Sequence, residues 1–472
     1  MRTTSRRSRI NAVRHIGTLA SAFLAGLMSG CQSYHSLPLN SETAIAPPSL
    51  EILRRNEDQV RHPLIAPGPF DHRAELSPDE AAVLAVLANP RLKAIRDEAH
   101  IAEAQVIQAG ILPNPQLSYG LDFPYGDTTD LINAYGLGLN WEFTSLLARG
   151  YNVDSAKSHL ASVRLDVAWQ EWQVAQAAKL HIYRLASAFK QFEVAKDIER
   201  ESSANLTVVR KAAALNHITD PDLAAAEDSS RQAHSTYLLL EQEVKTERVE
   251  LNRALGFPPE WDVRIQSNLE LPAMAENTVL QTAELLQGLE DRRLDLLALK
   301  KGCESEDANL RAAIRSQFPK INIGLNKARD TSDVRTVGFG VALDLPFFDR
   351  NQGRIAIETA TRQQLFDEYA ARVAEARSDV VRLIAEMDSA RRQAETAKTG
   401  LPALERLAAA YEKALRQGNT DVLSYYNTRH ALAVQRLEVM KLHRDRTDLL
   451  IALEIATGRA SIVVSNKKAE AK

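Results

Sequence analysis

Few side chains in this 472-residue chain stand where they could do chemistry together. Metal chelation needs clustered His, Cys or carboxylate ligands. The 11 histidines are dispersed, with no close His/His or His/Cys pair, and the two cysteines are Cys31 and Cys303. Gly136-x-Gly138 and Gly338-x-Gly340 share two glycines with a nucleotide-binding fingerprint, but neither opens a helix with a third. No P-loop, nucleophile elbow or acid–base pair is present. What remains is a set of acids beside turns: Asp220, Asp222 and Asp421. In a symmetric oligomer such acids can ring an aperture, attracting cations and repelling anions. At a helix start they can instead satisfy free backbone N–H groups and suit the helix dipole. Both roles stay open. The expectation is a protein that is not an enzyme and needs no cofactor and no resident metal.

Cys31 has a context of its own. Arg2, Arg6, Arg7, Arg9 and Arg14 make a basic front, and Ile16 to Met28 makes a short apolar run. That length suits an export signal over residues 1–30 better than a membrane-spanning helix. Met28-Ser29-Gly30-Cys31 resembles a bacterial lipobox, with Met28 where Leu is usual. The resemblance implies that Cys31 is lipidated and becomes the N-terminus; ordinary cleavage leaving a free thiol is the alternative. Gln32 in place of Asp points, by the same resemblance, to the outer membrane. Cys303 lies in a charged helical stretch and reads as an incidental thiol.

The elements that must position these residues are long. Charge is nearly balanced, at −3, which gives no support to a nucleic-acid partner. The 20 glycines and 18 prolines leave long stretches almost free of both, as long helices require. Residues 31–75 are proline-rich and polar, an extended segment, and residues 461–472 read as a frayed tail. Between them the chain repeats. "PQLSYGLD" (Pro115 to Asp122) returns as "PKINIGLN" (Pro319 to Asn326), and "YGLGLNWEF" (Tyr135 to Phe143) returns at the same separation as "FGVALDLPF" (Phe339 to Phe347). "LNRALG" (Leu251 to Gly256) parallels "LEIATG" (Leu453 to Gly458). Two copies are expected, over 76–270 and 271–460, each reading helix, strand, strand, long helix, turn, helix. The helices are placed near 78–110 (interrupted at Pro90), 147–214 and 222–255, then 278–316, 353–416 and 420–457. Leu185, Phe189 and Phe192, and again Val380, Ile384 and Met387, fall at coiled-coil spacing. The fold class is mainly α with a small β part.

The strands alternate. Leu117, Tyr119, Leu121, Leu137, Leu139 and Trp141 share one parity, with Ile321, Ile323, Leu325, Phe339, Val341 and Leu343 in the second copy. The other parity holds Ser118, Gly120, Asp122, Gly136, Gly138, Asn140 and Glu142, then Asn322, Gly324, Asn326, Gly338, Gly340, Ala342 and Asp344. Such a pattern suits a sheet packed on helices, or a membrane barrel with its apolar face to lipid. Four strands cannot close a barrel, and an open edge in lipid is costly. A membrane role therefore requires a barrel shared between chains.

"LDLPFFDRNQG" (Leu343 to Gly353), with "LPNP" (Leu112 to Pro115), "RALG" (Arg253 to Gly256) and "KALRQGNTDVLSYYNTRHAL" (Lys413 to Leu432), resembles the TolC family of outer-membrane efflux channels. "FDRNQG" is most similar to the CzcC-type subgroup, which serves heavy-metal cation export. The resemblance implies a homotrimer with a twelve-stranded barrel in outer-membrane lipid and an α-helical tunnel continuing it. It also implies a periplasmic adaptor and an inner-membrane pump as partners. The turns holding Asp220 and Asp222, and Gly418, Asn419 and Asp421, would form the periplasmic aperture. At the strand-to-helix junction Pro346 ends strand pairing, and Phe347 and Phe348 suit the membrane–water boundary. Asp349 or Asn351 is expected to cap the helix that Gly353 begins. A periplasmic coiled-coil structural or adaptor lipoprotein is the competing reading.

Overall fold

A computed structural model describes residues 33–39, 62–65, 75–126, 130–266, 268–272, 281–419 and 422–460. Cys31 and Asp421 lie outside the described residues. The chain divides into two compact units, 1–46 and 47–472. In the first, residues 33–39 form no regular element and are exposed. The remainder concerns the second.

Its first elements are helices α1 (Pro78–Ala88) and α2 (Pro90–Gly110), strands β1 (Gln116–Asp122) and β2 (Ala134–Glu142), and helices α3 (Ser145–Ala214) and α4 (Asp220–Leu255). Two short helices, α5 (Thr282–Leu286) and α6 (Leu289–Arg292), then precede α7 (Leu294–Arg315). Strands β3 (Lys320–Arg329) and β4 (Arg335–Asp344) and helices α8 (Gln352–Arg416) and α9 (Val422–Thr457) follow.

Local signals set most boundaries. Ser77 and Glu80 form a reciprocal capping box ahead of α1, with Pro78 at the first helical position. Asn89 breaks α1 from α2: its side chain accepts from Arg91 N–H and donates to the Ala254 carbonyl. That contact brings Asn89 against the end of α4, where Gly256 has φ +75°. A Cβ on Gly256 would lie 2.7 Å from Pro90 and 2.8 Å from the Asn89 backbone, so glycine serves there for both conformation and space.

Two expectations need correction. The single helix expected near 278–316 is interrupted in its described part. Gly288 adopts φ +64° and Arg293 an extended conformation, splitting it into α5, α6 and α7. Arg293 is held in that break by a buried ion pair with Asp295 at 2.7 Å and by its guanidinium over the Trp169 ring at 5.0 Å. The polar segment "KARDTSDVR" (Lys327 to Arg335), which reads from the sequence as the loop inside the second hairpin, is shorter as a loop, because Lys327↔Val337, Ala328↔Thr336 and Arg329↔Arg335 pair and extend both strands.

Helix α3 has 70 residues and α8 has 65, rods of about 105 and 98 Å at about 1.5 Å per residue. Each folds back through a short turn, so α3/α4 and α8/α9 are antiparallel hairpins. Their narrow seams are the ones the spacing marks. Leu185 is fully buried with Phe189 packed beside it, and Val380 is buried with Ile384 and Met387. Elements far apart in the chain contribute to one cluster, where Leu92, Trp169 and Trp172 meet Leu294 and Ile455. Polar contacts cross the same boundary, from Gln176 to Glu454 at 3.2 Å and from Arg184 to Asp448 at 3.0 Å.

Candidate functional site

The strands form one antiparallel sheet in the order β1-β2-β3-β4. The register joins the two hairpins into continuous rows, since directly opposed residues share a face. One face carries the row Leu117–Leu139–Leu325–Phe339 and beside it Trp141–Ile323–Val341. The other carries Ser118–Gly138–Asn326–Gly338 and Gln116–Asn140–Gly324–Gly340. Every parity assignment made from sequence holds. On the polar face a Cβ at Gly324 would meet Asn140 Oδ1, and one at Gly338 would meet Asn326 Oδ1, so those amide tips would have to turn aside. Among the described residues no helix packs on either face, and large apolar side chains such as Val337 and Phe339 are exposed. The outer edges of β1 and β4 pair with no further strand among those residues.

The sheet passes into the helices at two junctions. After β4, Phe347 N–H bonds back to the Leu345 carbonyl across Pro346, and Phe347 and Phe348 are 71% and 95% exposed. The expected cap is not made. Asn351 occupies the position before α8 but adopts φ +60°, with no side-chain capping bond. Its Nδ2 donates to the Ala313 carbonyl at the end of α7 instead, at 2.7 Å. Asp349 accepts from Asn351 N–H at 2.8 Å, closing the turn rather than the helix. Nothing lies near a Cβ built on Gly353, so packing places no demand for glycine there.

The first junction uses other residues for the same purpose. Arg149, early in α3, gives two hydrogen bonds to the Gly110 carbonyl at the end of α2, at 2.9 and 2.7 Å. At both junctions, then, the start of the long helix satisfies a terminal carbonyl of the helix before the hairpin. Thr144 accepts from Ile321 N–H at 2.5 Å and donates to the Pro319 carbonyl, tying this junction to the start of β3. Trp141 Nε1–H donates to the Pro113 carbonyl at 2.8 Å. Arg149 and Thr144 escaped the sequence reading because neither matches a motif; their partners are backbone atoms far along the chain.

At the opposite ends of the long helices lie the two turns. Gly418 has φ +70°. Gly418 N–H bonds to Leu415 and Asn419 N–H to the Ala414 carbonyl, the paired bonds of a Schellman motif. Asn216, at φ +56°, occupies the same position after α3, with His217 N–H on the Ala212 carbonyl. Thr219 caps α4 in a reciprocal box with Asp222, and Asp220 stands in the first turn. Asp222 therefore does have the capping role, while Asp220 is exposed. The hairpins meet near these turns around Val209, Ala226, Tyr425 and Tyr426. Burial pushes the Tyr426 hydroxyl up to about 12. Cys303, on α7, is half-buried, which raises its thiol.

Residues 285–459 match the sequence model of a family described as outer membrane efflux protein. The cobalt-zinc-cadmium resistance protein CzcC of Cupriavidus metallidurans is 23% identical over 419 residues, 86% of this chain and 94% of that protein. Among solved structures, a membrane protein from Pseudomonas aeruginosa superposes with a TM-score of 0.70 at 16% identity, over 82% of this chain and 92% of that one. The Campylobacter jejuni CmeC outer membrane channel does so with a TM-score of 0.68 at 13% identity, over 94% and 98%.

Proposed function

We propose, from the match of residues 285–459 to the outer membrane efflux protein family and the similarity to CzcC along most of the chain, that this protein is the outer-membrane channel of a tripartite efflux system. It is a passive duct: an inner-membrane pump drives transport, and a periplasmic adaptor links the two. Residues 1–30 are the export signal, Cys31 the acylated anchor and 31–75 a tether. Residues 76–270 and 271–460 are the two channel repeats, and 461–472 a tail. The proposed cargo is a divalent metal cation, on the similarity to a cobalt-zinc-cadmium resistance protein.

One observation carries the reading: the four-stranded sheet is apolar on one face, lined with Gly, Ser and Asn on the other, and uncovered on both among the described residues. A soluble protein would cover the apolar face. A sheet packed on its own helices would need a layer that is absent among the described residues. In lipid, each unpaired edge group would cost several kcal/mol, so β1 and β4 are to pair with neighbouring chains. Three four-stranded sheets supply a twelve-stranded barrel, within the range of membrane barrels. The 10 residues of β4 span about 34 Å, or about 25 Å once tilted, which matches the apolar band of such barrels. Pro346, Phe347 and Phe348 then mark the inner membrane boundary. Asp220, Asp222, Asn419 and Asp421 surround the far aperture, where acids favour cations.

The test is assembly. Protein extracted in mild detergent is expected to be a trimer, and Leu139→Arg or Val341→Arg to reduce trimer yield sharply, because each places charge on the lipid face. A folded monomer, or normal trimer yield from both variants, defeats the shared barrel.

A further inference from the structure

The apolar face of the sheet ends in cations. Moving away from the helices, the rows run Trp141–Ile323–Val341, then Leu117–Leu139–Leu325–Phe339, then Tyr119–Leu137–Lys327–Val337, and last Leu121–Tyr135–Arg329–Arg335. Lys327, Arg329 and Arg335 thus share the apolar face at the hairpin-loop end, with Lys327 set between Leu137 and Val337. No charged residue occurs on this face in the rows nearer the junctions.

These three cations are poorly neutralised. Arg329 and Arg335 approach the same carboxylate, Asp333, at 3.8 and 3.7 Å, too long for strong hydrogen bonds. Asp330 turns its Oδ1 into the loop, accepting from Ser332 and Val334 N–H. Lys327 meets no acid among the described residues. Arg329 is nevertheless held in place: its guanidinium lies 5.3 Å from the Tyr135 ring centroid, and its Nη2 donates to the Asn133 carbonyl at 2.8 Å. Its Nε is buried and has no hydrogen-bond partner.

Charge on a lipid-facing strand is costly at the bilayer midplane and nearly free at the interface. The depth of Lys327, Arg329 and Arg335 is therefore that of the head groups, at the end remote from the helical tunnel. We propose that this corner binds the phosphate groups of an outer-leaflet lipid, the acyl chains lying along the apolar rows below. Charge complementarity argues for this occupant, as does continuity: the cations terminate the same rows that face the acyl chains. Guanidinium groups bind phosphate through paired, charge-assisted bonds, and Arg335 is exposed directly opposite the pre-set Arg329. Three subunits repeat the corner around the barrel. This inference rests on the channel reading.

The test uses the detergent-purified trimer and lipid A, a phosphorylated glycolipid, with its dephosphorylated form as control. The wild type is expected to melt higher with lipid A than with the control, and native mass spectrometry to show lipid retained on the trimer. Lys327→Gln/Arg329→Gln/Arg335→Gln is expected to weaken the apparent affinity at least about tenfold, from the loss of charged hydrogen bonds. Arg335→Gln alone, at an exposed position, provides a variant whose folding is not in question and is expected to lose part of the effect. Equal retention by wild type and variants overturns the proposal. So does an equal thermal shift from inorganic phosphate, which would make this a free-anion site. Absence of a trimer in wild type is a separate failure, that of the channel reading.

Discussion

Replacing Glu306 by glutamine should remove a pH dependence that the wild-type chain carries. Glu306 on α7 is 7% exposed and faces Glu358 on α8, which is 5% exposed. Burial pushes the Glu306 carboxyl up to about 7, the hydrogen bond shared with the Glu358 carboxyl adds to this, and donation from Asn309 and the charge of Arg354 oppose it. Arg354 pairs with Glu358, while burial and the neighbouring Glu358 carboxyl favour the protonated form of Glu306. An unfolded glutamate titrates near 4.5. A group whose folded pKa is raised stabilises most below its unfolded value, and that stability is lost as pH rises through the folded value. Between about 4.5 and about 7 the shift amounts to at most about 3.4 kcal/mol, and solvent screening brings the expected loss to about 1.5–2 kcal/mol. The amide introduced by Glu306→Gln stays neutral and can still donate to Glu358. Chemical denaturation or melting followed from about pH 5 to pH 8 should show wild type losing stability relative to Glu306→Gln as pH rises. Taking the difference cancels other titrating groups, including Asp166 and Asp448, whose carboxyls burial also raises. A wild-type-minus-variant difference that stays constant across this range refutes the raised Glu306 carboxyl.

Two glycines should respond to alanine with opposite sign. Gly418→Ala forces a side chain into φ +70° and should cost about 1 kcal/mol, whereas Gly353→Ala, helical and unobstructed, should gain up to about 1 kcal/mol; denaturation midpoints compare them. Cys31→Ala should abolish incorporation of labelled palmitate, and unchanged labelling would remove the anchor at that residue.

Local periodicity in the chain was enough for the long helices and the strand faces, because each depends on residues within a few positions of one another. The alternation in "YGLGLNWEF" assigns faces without knowledge of any partner strand, and the glycine of "RQGN" announces a helix end because few other residues accept a left-handed backbone. Asp222 could be named as a cap or an aperture acid, but only the Thr219 contact decided that it caps. What the tertiary structure alone decided was long-range. Asn351 looked like a cap and instead reaches back to Ala313; Arg149 performs the equivalent task at Gly110 with no shared motif. Glu306 and Glu358 stand on separate helices, and only packing buries them side by side and raises the Glu306 carboxyl. Lys327 and Arg329 read as loop residues until the β3–β4 register carried them into the sheet and placed them beside Arg335. Sequence specifies a residue's own backbone preference within a turn or two, while the neighbour it meets across a hairpin is set by register and helix packing, which no local pattern encodes.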